Sequence, residues 1–162
     1  GRLFNKELGG GSLLDIGIYP IYLSHLVLGQ PERIQATARM STTGVDSSCA
    51  MLFDYAQGAK ATLESTFEAN TPLEAYIYGS DGYIKLHPHF YHTKKITLCR
   101  YDGKNEVFDI GYRGNGYLYE IEEVEQCLSV KRQQSEKLSP DTSLQIIRTI
   151  DRVKEKIGLS YR

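Results

Sequence analysis

Short runs of alternating apolar and polar residues, joined by tight turns, fill the middle of this chain and constrain its fold most. In the clearest run, Arg33 to Met40, every second residue is apolar. A period of two is typical of a strand with one buried face. The dipeptides Gln57-Gly58 and Asp102-Gly103 are hairpin-turn signals between further runs. Short strands with tight turns predict an antiparallel sheet, because parallel strands need long crossover connections.

Six further strands follow from the same pattern. They are predicted over Cys49 to Tyr55, Ala59 to Phe67, Leu73 to Ile77, Tyr83 to Leu86, Ile96 to Tyr101 and Glu106 to Ile110. Helices can cover one face of such a sheet, and the other face then meets water or a partner.

Helices are predicted at both ends of the chain. The first runs from about Leu13 to Leu28, and Pro20 should kink it just after Tyr19, since proline lacks the backbone donor. The second begins at about Tyr117 and the third after Ser139. Their apolar stripes are Ile121, Val124 and Leu128, and Ile146, Ile150, Val153 and Ile157. The predicted fold class is α+β, a large, mainly antiparallel sheet with helices on one face.

The stretch Gly9-Gly10-Gly11-Ser12 precedes the first helix and introduces the candidate chemistry. Without a Cβ, Gly10 and Gly11 allow the backbone to approach a ligand closely. Asp15 and Tyr19 are four residues apart, so a helix presents both on one face. An acid beside a phenol is suited to proton transfer.

The residues alone leave a simpler interpretation open. In it, Asp15 caps the helix and offsets its dipole, and Tyr19 packs with its hydroxyl hydrogen-bonded. Glycine before a helix start is also a general anion site. The stretch is not a dinucleotide fingerprint, because no strand precedes it and its spacing is not G-x-G-x-x-G.

Net charge, the length of apolar runs and the number of cysteines limit the classes of partner and the cell compartment that the sequence favours. A net charge of −1 over 162 residues lacks the basic footprint of a nucleic-acid-binding domain. No unbroken apolar run approaches the ~18 residues of a membrane span, so no membrane is expected. Cys49, Cys99 and Cys127 are odd in number and widely spaced. They fit reduced thiols in a cytoplasmic protein better than a disulfide framework.

His87, His89 and His92 are the residues that a metal site would use. Pro88 disturbs a regular strand there, and no Cys, Asp or Glu lies close in sequence to complete the ligand set. We therefore predict no metal site and expect surface histidines or a loop near the substrate. His25, which lies among leucines, is expected to be a satisfied core or interface histidine.

The segment GGGSLLDIGIYPI, residues 9–21, resembles the start of the C-terminal domain of the Gfo/Idh/MocA family of NAD(P)-dependent oxidoreductases. The branch that it looks most like contains dihydrodiol dehydrogenases and glucose–fructose oxidoreductase. Four other segments are similar to the family's late strands and last two helices, so the resemblance covers nearly the whole chain. They are residues 77–86, 88–98, 114–128 and 139–161.

The resemblance implies half of a two-domain enzyme. The family's glycine-rich nucleotide loop and Glu-Lys-Pro motif do not occur in this sequence. Residues 1–162 are therefore expected to be a single substrate-binding and dimerisation domain, cut from a longer enzyme and inactive without its Rossmann domain. The family dimerises through its sheet, so a homodimer through the open sheet face is expected, with a simply solvated face as the alternative.

The resemblance also implies roles for the motif residues. The intact enzyme would transfer hydride between a nicotinamide ring and a sugar, polyol or trans-dihydrodiol. Tyr19 would be the acid/base, and Asp15 would orient the substrate hydroxyl or the tyrosine. An isolated phenol has a pKa of about 10, so a cation is expected nearby, supplied by the lysine of the missing domain. NAD or NADP would bind mainly to that domain, with Gly10 and Gly11 approaching it.

Two other functions remain open at this stage. A ligand-sensing or scaffolding domain would use the same fold without redox chemistry. A small metal-dependent hydrolase would use the histidines.

Overall fold

The computed structural model describes residues 1–161, which form two compact units. The first unit comprises Gly1–Asn70 and the chain from Leu138 onward, and the second is Thr71–Lys137. Residues 1–161 contain seven strands, all paired antiparallel, and three α-helices. The α+β class with antiparallel sheets is therefore confirmed.

The strands form two sheets, where the sequence suggested one large sheet. The first unit holds three strands in the order β1-β2-β3 and the second holds four in the order β4-β5-β6-β7. Leu73, the expected start of the fourth strand, has a φ of 53°. A positive φ breaks extended backbone in a residue with a branched side chain, so pairing resumes only at Ala75.

The sheet of the first unit follows the alternating pattern closely. Its strands are β1 (Arg33–Met40), β2 (Asp46–Asp54) and β3 (Lys60–Thr66). In the register, Ala36 pairs with Met51, which pairs with Leu63. Paired residues share a face, so the apolar side chains of all three strands meet on one side.

Two helices cover that inner face. They are α1 (Ile18–Leu28) and α3 (Pro140–Ile157), and both pack on the sheet and on each other. The Ser139 side chain accepts the Thr142 N–H at 3.1 Å and starts α3. The buried core combines residues of the sheet and both helical segments: Leu13, Ile21, Ile34, Cys49, Met51, Phe53, Tyr55, Ile146, Ile150, Val153 and Leu159.

A π-helical turn, Leu13–Gly17, replaces the first part of the predicted helix. Gly17 and Ile18 are both helical, so Pro20 lies inside a continuous helical segment that changes from π-helical to α-helical bonding at Ile18. Proline removes one bond of the α-helical ladder, and a π-helical turn is one of the irregularities that accompany such a break. The irregularity expected just after Tyr19 is thus found just before it.

The helical run Lys6–Leu28 is long and apolar enough to cross a membrane, with a mean hydropathy of 1.3. It is not an unbroken apolar run, because Lys6, Glu7 and Asp15 interrupt it. In this structure 39% of its most apolar window is buried inside the fold. Core helices of soluble proteins also meet these criteria, so the run does not assign a membrane location.

The second unit is much less buried. Its strands are β4 (Ala75–Tyr78), β5 (Gly82–Leu86), β6 (Lys95–Arg100) and β7 (Asn105–Asp109), followed by α2 (Tyr117–Ser129). Within residues 71–137 only Cys127 is classed as buried, at 8% exposed. The predicted apolar stripe of α2 is exposed: Ile121 by 55%, Val124 by 57% and Leu128 by 70%. Helical spacing identified the helix correctly, but its stripe is not covered within this unit.

Candidate active site

The glycine turn lies where the lead-in segment meets the helix start. Gly10 and Gly11 are buried. A Cβ on Gly10 would stand 2.6 Å from the Leu3 carbonyl oxygen, and one on Gly11 would clash with Asp46 Oδ1. Gly11 also has a φ of 115°, which favours glycine. On the side where a Cβ would stand, both glycines approach atoms of this chain.

The helix start is capped from another element. The sequence left open that Asp15 caps the helix, and Ser12, the residue before the π-helical turn, makes no side-chain cap bond to it. Instead Asp46, at the start of β2, accepts the Leu13 N–H and the Ser12 hydroxyl through Oδ2, each at 2.7 Å. Asp46 and Ser12 are fully buried. A carboxylate at a helix N-terminus complements both the free N–H groups and the dipole.

Two further groups hold the same turn. The hydroxyls of Ser12 and Ser65 lie 3.0 Å apart. The Tyr161 hydroxyl donates to the Gly10 carbonyl oxygen at 2.5 Å. Burial, and to a lesser degree the charge of Asp46, raises the pKa of Tyr161 to about 12. Tyr161 therefore stays protonated and remains a donor at neutral pH.

Asp15 and Tyr19 both reach solvent. The Asp15 side chain is 23% exposed and Tyr19 is 41% exposed. Asp15 Oδ1 forms an ion pair with the Arg2 guanidinium. Both side chains thus reach solvent, and Asp15 has a charge partner in Arg2 that the sequence did not predict.

The histidines do not form a metal centre. His87 Nε2 lies 2.8 Å from Thr97 Oγ1, and the rings of His89 and His92 stack with centroids 5.2 Å apart. Among residues 1–161 there is no group of three or more His, Cys, Asp or Glu side chains that could hold a metal ion. His25 is buried against Thr149 with 2.8 Å between Nε2 and Oγ1, the satisfied core histidine that was expected.

The outer face of the three-stranded sheet is open. Two cross-strand rows form its centre: Gln35, Leu52 and Thr62, then Thr37, Ala50 and Glu64. These residues line a shallow depression. Most of them are small or uncharged, so the face suits either solvent or a flat protein partner.

Asp15 and Tyr19 remain the site residues that the sequence predicts. The contacts of Arg2 with Asp15, and of Asp46 and Tyr161 with residues 10–13, were not predicted. No local pattern marks Asp46, because its burial at the start of β2 appears only in the structure.

Comparison with known proteins gives a consistent picture. A family model described as "GFO/IDH/MocA C-terminal domain" matches residues 1–85. The trans-1,2-dihydrobenzene-1,2-diol dehydrogenase of Xenopus tropicalis is 32% identical over 99% of this chain and 51% of its own length. The scyllo-inositol 2-dehydrogenase (NADP(+)) IolU of Bacillus subtilis is 27% identical over 98% and 48%. The chain thus spans about half the length of the curated relatives it matches.

The fold has solved counterparts. The aldose-aldose oxidoreductase of Caulobacter crescentus, solved with glycerol, superimposes with a TM-score of 0.83 and 20% identity. That likeness covers 98% of this chain and 49% of the other. At this identity the likeness concerns the fold alone.

Proposed function

The chain belongs to the Gfo/Idh/MocA family, and on that premise we propose that it is the substrate-binding and dimerisation domain of an NAD(P)-dependent oxidoreductase. The substrate class is a sugar, a polyol or a trans-dihydrodiol. The names of the dihydrodiol and inositol dehydrogenases among its relatives support this class. Residues 1–162 act in this proposal as one substrate domain, inactive without a nucleotide-binding half.

The observation that carries the proposal is the solvent-facing pair Asp15 and Tyr19 on a buried, firmly held helix start. When a carbon bearing a hydroxyl loses hydride, the hydroxyl proton must leave as well. In oxidation the Tyr19 phenolate takes that proton and becomes the phenol, and in reduction the phenol returns it. The cation that favours the phenolate is supplied in this proposal by the nucleotide-binding half. Asp15 accepts a hydrogen bond from a substrate hydroxyl, and Arg2 holds the carboxylate in place.

The nicotinamide nucleotide would supply hydride exchange when bound. Gly10 and Gly11 are the residues of this chain that were predicted to approach it. At Gly10 and Gly11 the space that a Cβ would take is filled by the Leu3 carbonyl and the Asp46 carboxylate. These glycines do not form a nucleotide cradle on that side. The proposal therefore assigns cofactor binding to the nucleotide-binding half, and contact from Gly10 or Gly11 stays a prediction.

The open sheet face is the proposed dimer interface. Its two central rows contain one charged residue, Glu64, among six, and charge depletion is typical of interface centres. A monomer mass by light scattering at micromolar concentration would contradict this part of the proposal.

Tyr19→Phe tests the chemistry in the protein joined to its nucleotide-binding half. We expect kcat to fall by about 10²- to 10⁴-fold while KM changes by less than about threefold, because the acid/base group is lost and the ring remains. The readout is nicotinamide absorbance across a panel of polyols and diols.

The matched control is Tyr22→Phe, three residues along the same helix and packed against the core. It removes a phenol hydroxyl from α1 without touching the proposed site. Turnover that is equal in Tyr19→Phe and the unaltered enzyme would overturn the acid/base assignment.

A further inference from the structure

We propose that Asp46 is a positioning residue for this site. Its buried carboxylate fixes the helix start that carries Asp15 and Tyr19, and so sets where both side chains meet the substrate. The inference rests on the proposed function for its consequence in catalysis, but the structural link can be measured without turnover.

Asp46 bonds directly to the helix start. Its Oδ2 accepts both the Leu13 N–H and the Ser12 hydroxyl at 2.7 Å. Leu13 lies two residues before Asp15, so the bond fixes the backbone within one turn of the candidate acid. A charged acceptor makes a stronger hydrogen bond than a neutral one, and burial excludes the water that would compete.

Asp46 also packs closely against Gly11. Asp46 Oδ1 occupies the space in which a Cβ on Gly11 would stand, and the φ of Gly11 is 115°. Gly11 therefore has to be glycine because Asp46 lies beneath it. The sequence suggested that this glycine-rich turn contacts a ligand. In the structure its Gly11 packs against Asp46 of β2.

Two further side chains support the same turn. Ser65 on β3 lies 3.0 Å from Ser12, and Tyr161 donates to the Gly10 carbonyl from the other side of the turn. Asp46 Oδ1 is buried with no hydrogen-bond partner among the described residues. An acid in this position is destabilising by itself, so its placement fits a role in shaping the turn.

The test uses the protein joined to its nucleotide-binding half, with Asp46→Asn as the main variant. Asparagine keeps the shape and removes the charge. We expect kcat to fall by about 10- to 100-fold, because small misplacements of catalytic groups have effects of that size. KM should change by less than about threefold.

Asp54→Asn is the matched control. Asp54 is at the other end of β2, is also buried, and pairs with Lys60 and Arg33 rather than with the helix start. Its turnover should stay within about twofold of the unaltered enzyme. If Asp46→Asn does not fold, Ser12→Ala, which removes one of the two bonds to Oδ2, replaces it with the same expected direction.

A combined variant separates positioning from general destabilisation. If Asp46 acts through Asp15 and Tyr19, adding Asp46→Asn to the Asp15→Asn, Tyr19→Phe double variant slows turnover by no more than about threefold. Multiplicative losses would overturn the inference.

Hydrogen exchange at the Leu13 amide gives a readout that does not depend on activity. We expect exchange to rise by at least about fivefold in Asp46→Asn and to be unchanged in Asp54→Asn. If Tyr19→Phe keeps full turnover, the proposed function fails. Hydrogen exchange at the Leu13 amide still tests whether Asp46 holds the helix start. If Tyr19→Phe is inactive while Asp46→Asn keeps turnover, the positioning inference alone fails.

Discussion

The two sheets of this chain share one alternating pattern but differ in what covers them. In the first unit α1 and α3 cover the inner face, and Phe53 is fully buried. In the second unit Phe108, also on a strand, is 46% exposed. Alternation therefore predicts a strand in both units, but burial depends on the helices that pack against it.

The same difference separates the surroundings of the candidate site from those of the second unit. The candidate pair Asp15 and Tyr19 lies in the covered unit, on a helix start that Asp46 holds from the sheet. Catalytic groups need supports that are themselves locked by packing and hydrogen bonds. The open four-stranded sheet offers its strands much less of that support.

The largest expected difference between the two units is in the free energy of unfolding after a phenylalanine is truncated in each. We expect Phe53→Ala to lower the free energy of unfolding by about 3–5 kcal/mol, because it leaves a cavity in a closed core. Phe108→Ala should lower it by about 1 kcal/mol, since much of that ring already meets water. Urea denaturation followed by circular dichroism measures both. Equal losses would show that the second unit is as well packed as the first.

Thiol reactivity gives a second comparison. Burial, with a smaller contribution from the charge of Asp46, raises the pKa of Cys49 to about 12, whereas Cys99 in the second unit is partly exposed. The thiolate is the reactive form, so iodoacetamide should modify Cys99 at least about tenfold faster than Cys49. Mass spectrometry of the digested protein measures the two rates. In urea the rates should converge, and faster labelling of Cys49 in the native protein would contradict the burial.

The smallest expected effect concerns pH. Burial lowers the pKa of His25, so the folded state resists a proton that the unfolded state accepts. The free energy of unfolding should therefore decrease as pH falls from about 7 to about 5. His25→Gln should weaken this dependence, whereas His92→Gln, at an exposed position of the second unit, should leave it unchanged. Denaturant midpoints across this pH range measure it, and identical slopes in all three proteins would contradict the assignment.

Much of the fold was predictable because its signals are local. β1 occupies Arg33–Met40 as the alternation indicated, and α3 begins at Pro140 after the Ser139 cap as expected. The fourth strand began later than predicted because the positive φ of Leu73 leaves no mark in the apolar pattern. The π-helical turn before α1 was likewise not visible in residue spacing.

The contacts around the candidate site were not predictable for a related reason. Asp15 and Tyr19 were predicted from the sequence because a spacing of four residues in a helix places two side chains on one face. Arg2 contacts Asp15 across 13 positions, Asp46 contacts Leu13 across 33, and Tyr161 contacts Gly10 across 151. No short window of sequence contains those pairs.

The amino-acid order by itself determined the strands, the helices, the hairpin turns and the spacing of the acid and the phenol, because backbone preference and side-chain period depend on near neighbours. Only the tertiary structure decided which sheet is covered, why Gly11 must be glycine, and that Asp46 caps the helix start. Those outcomes arise from contacts between segments far apart in the chain, and burial and hydrogen-bond partners exist only once such segments pack together.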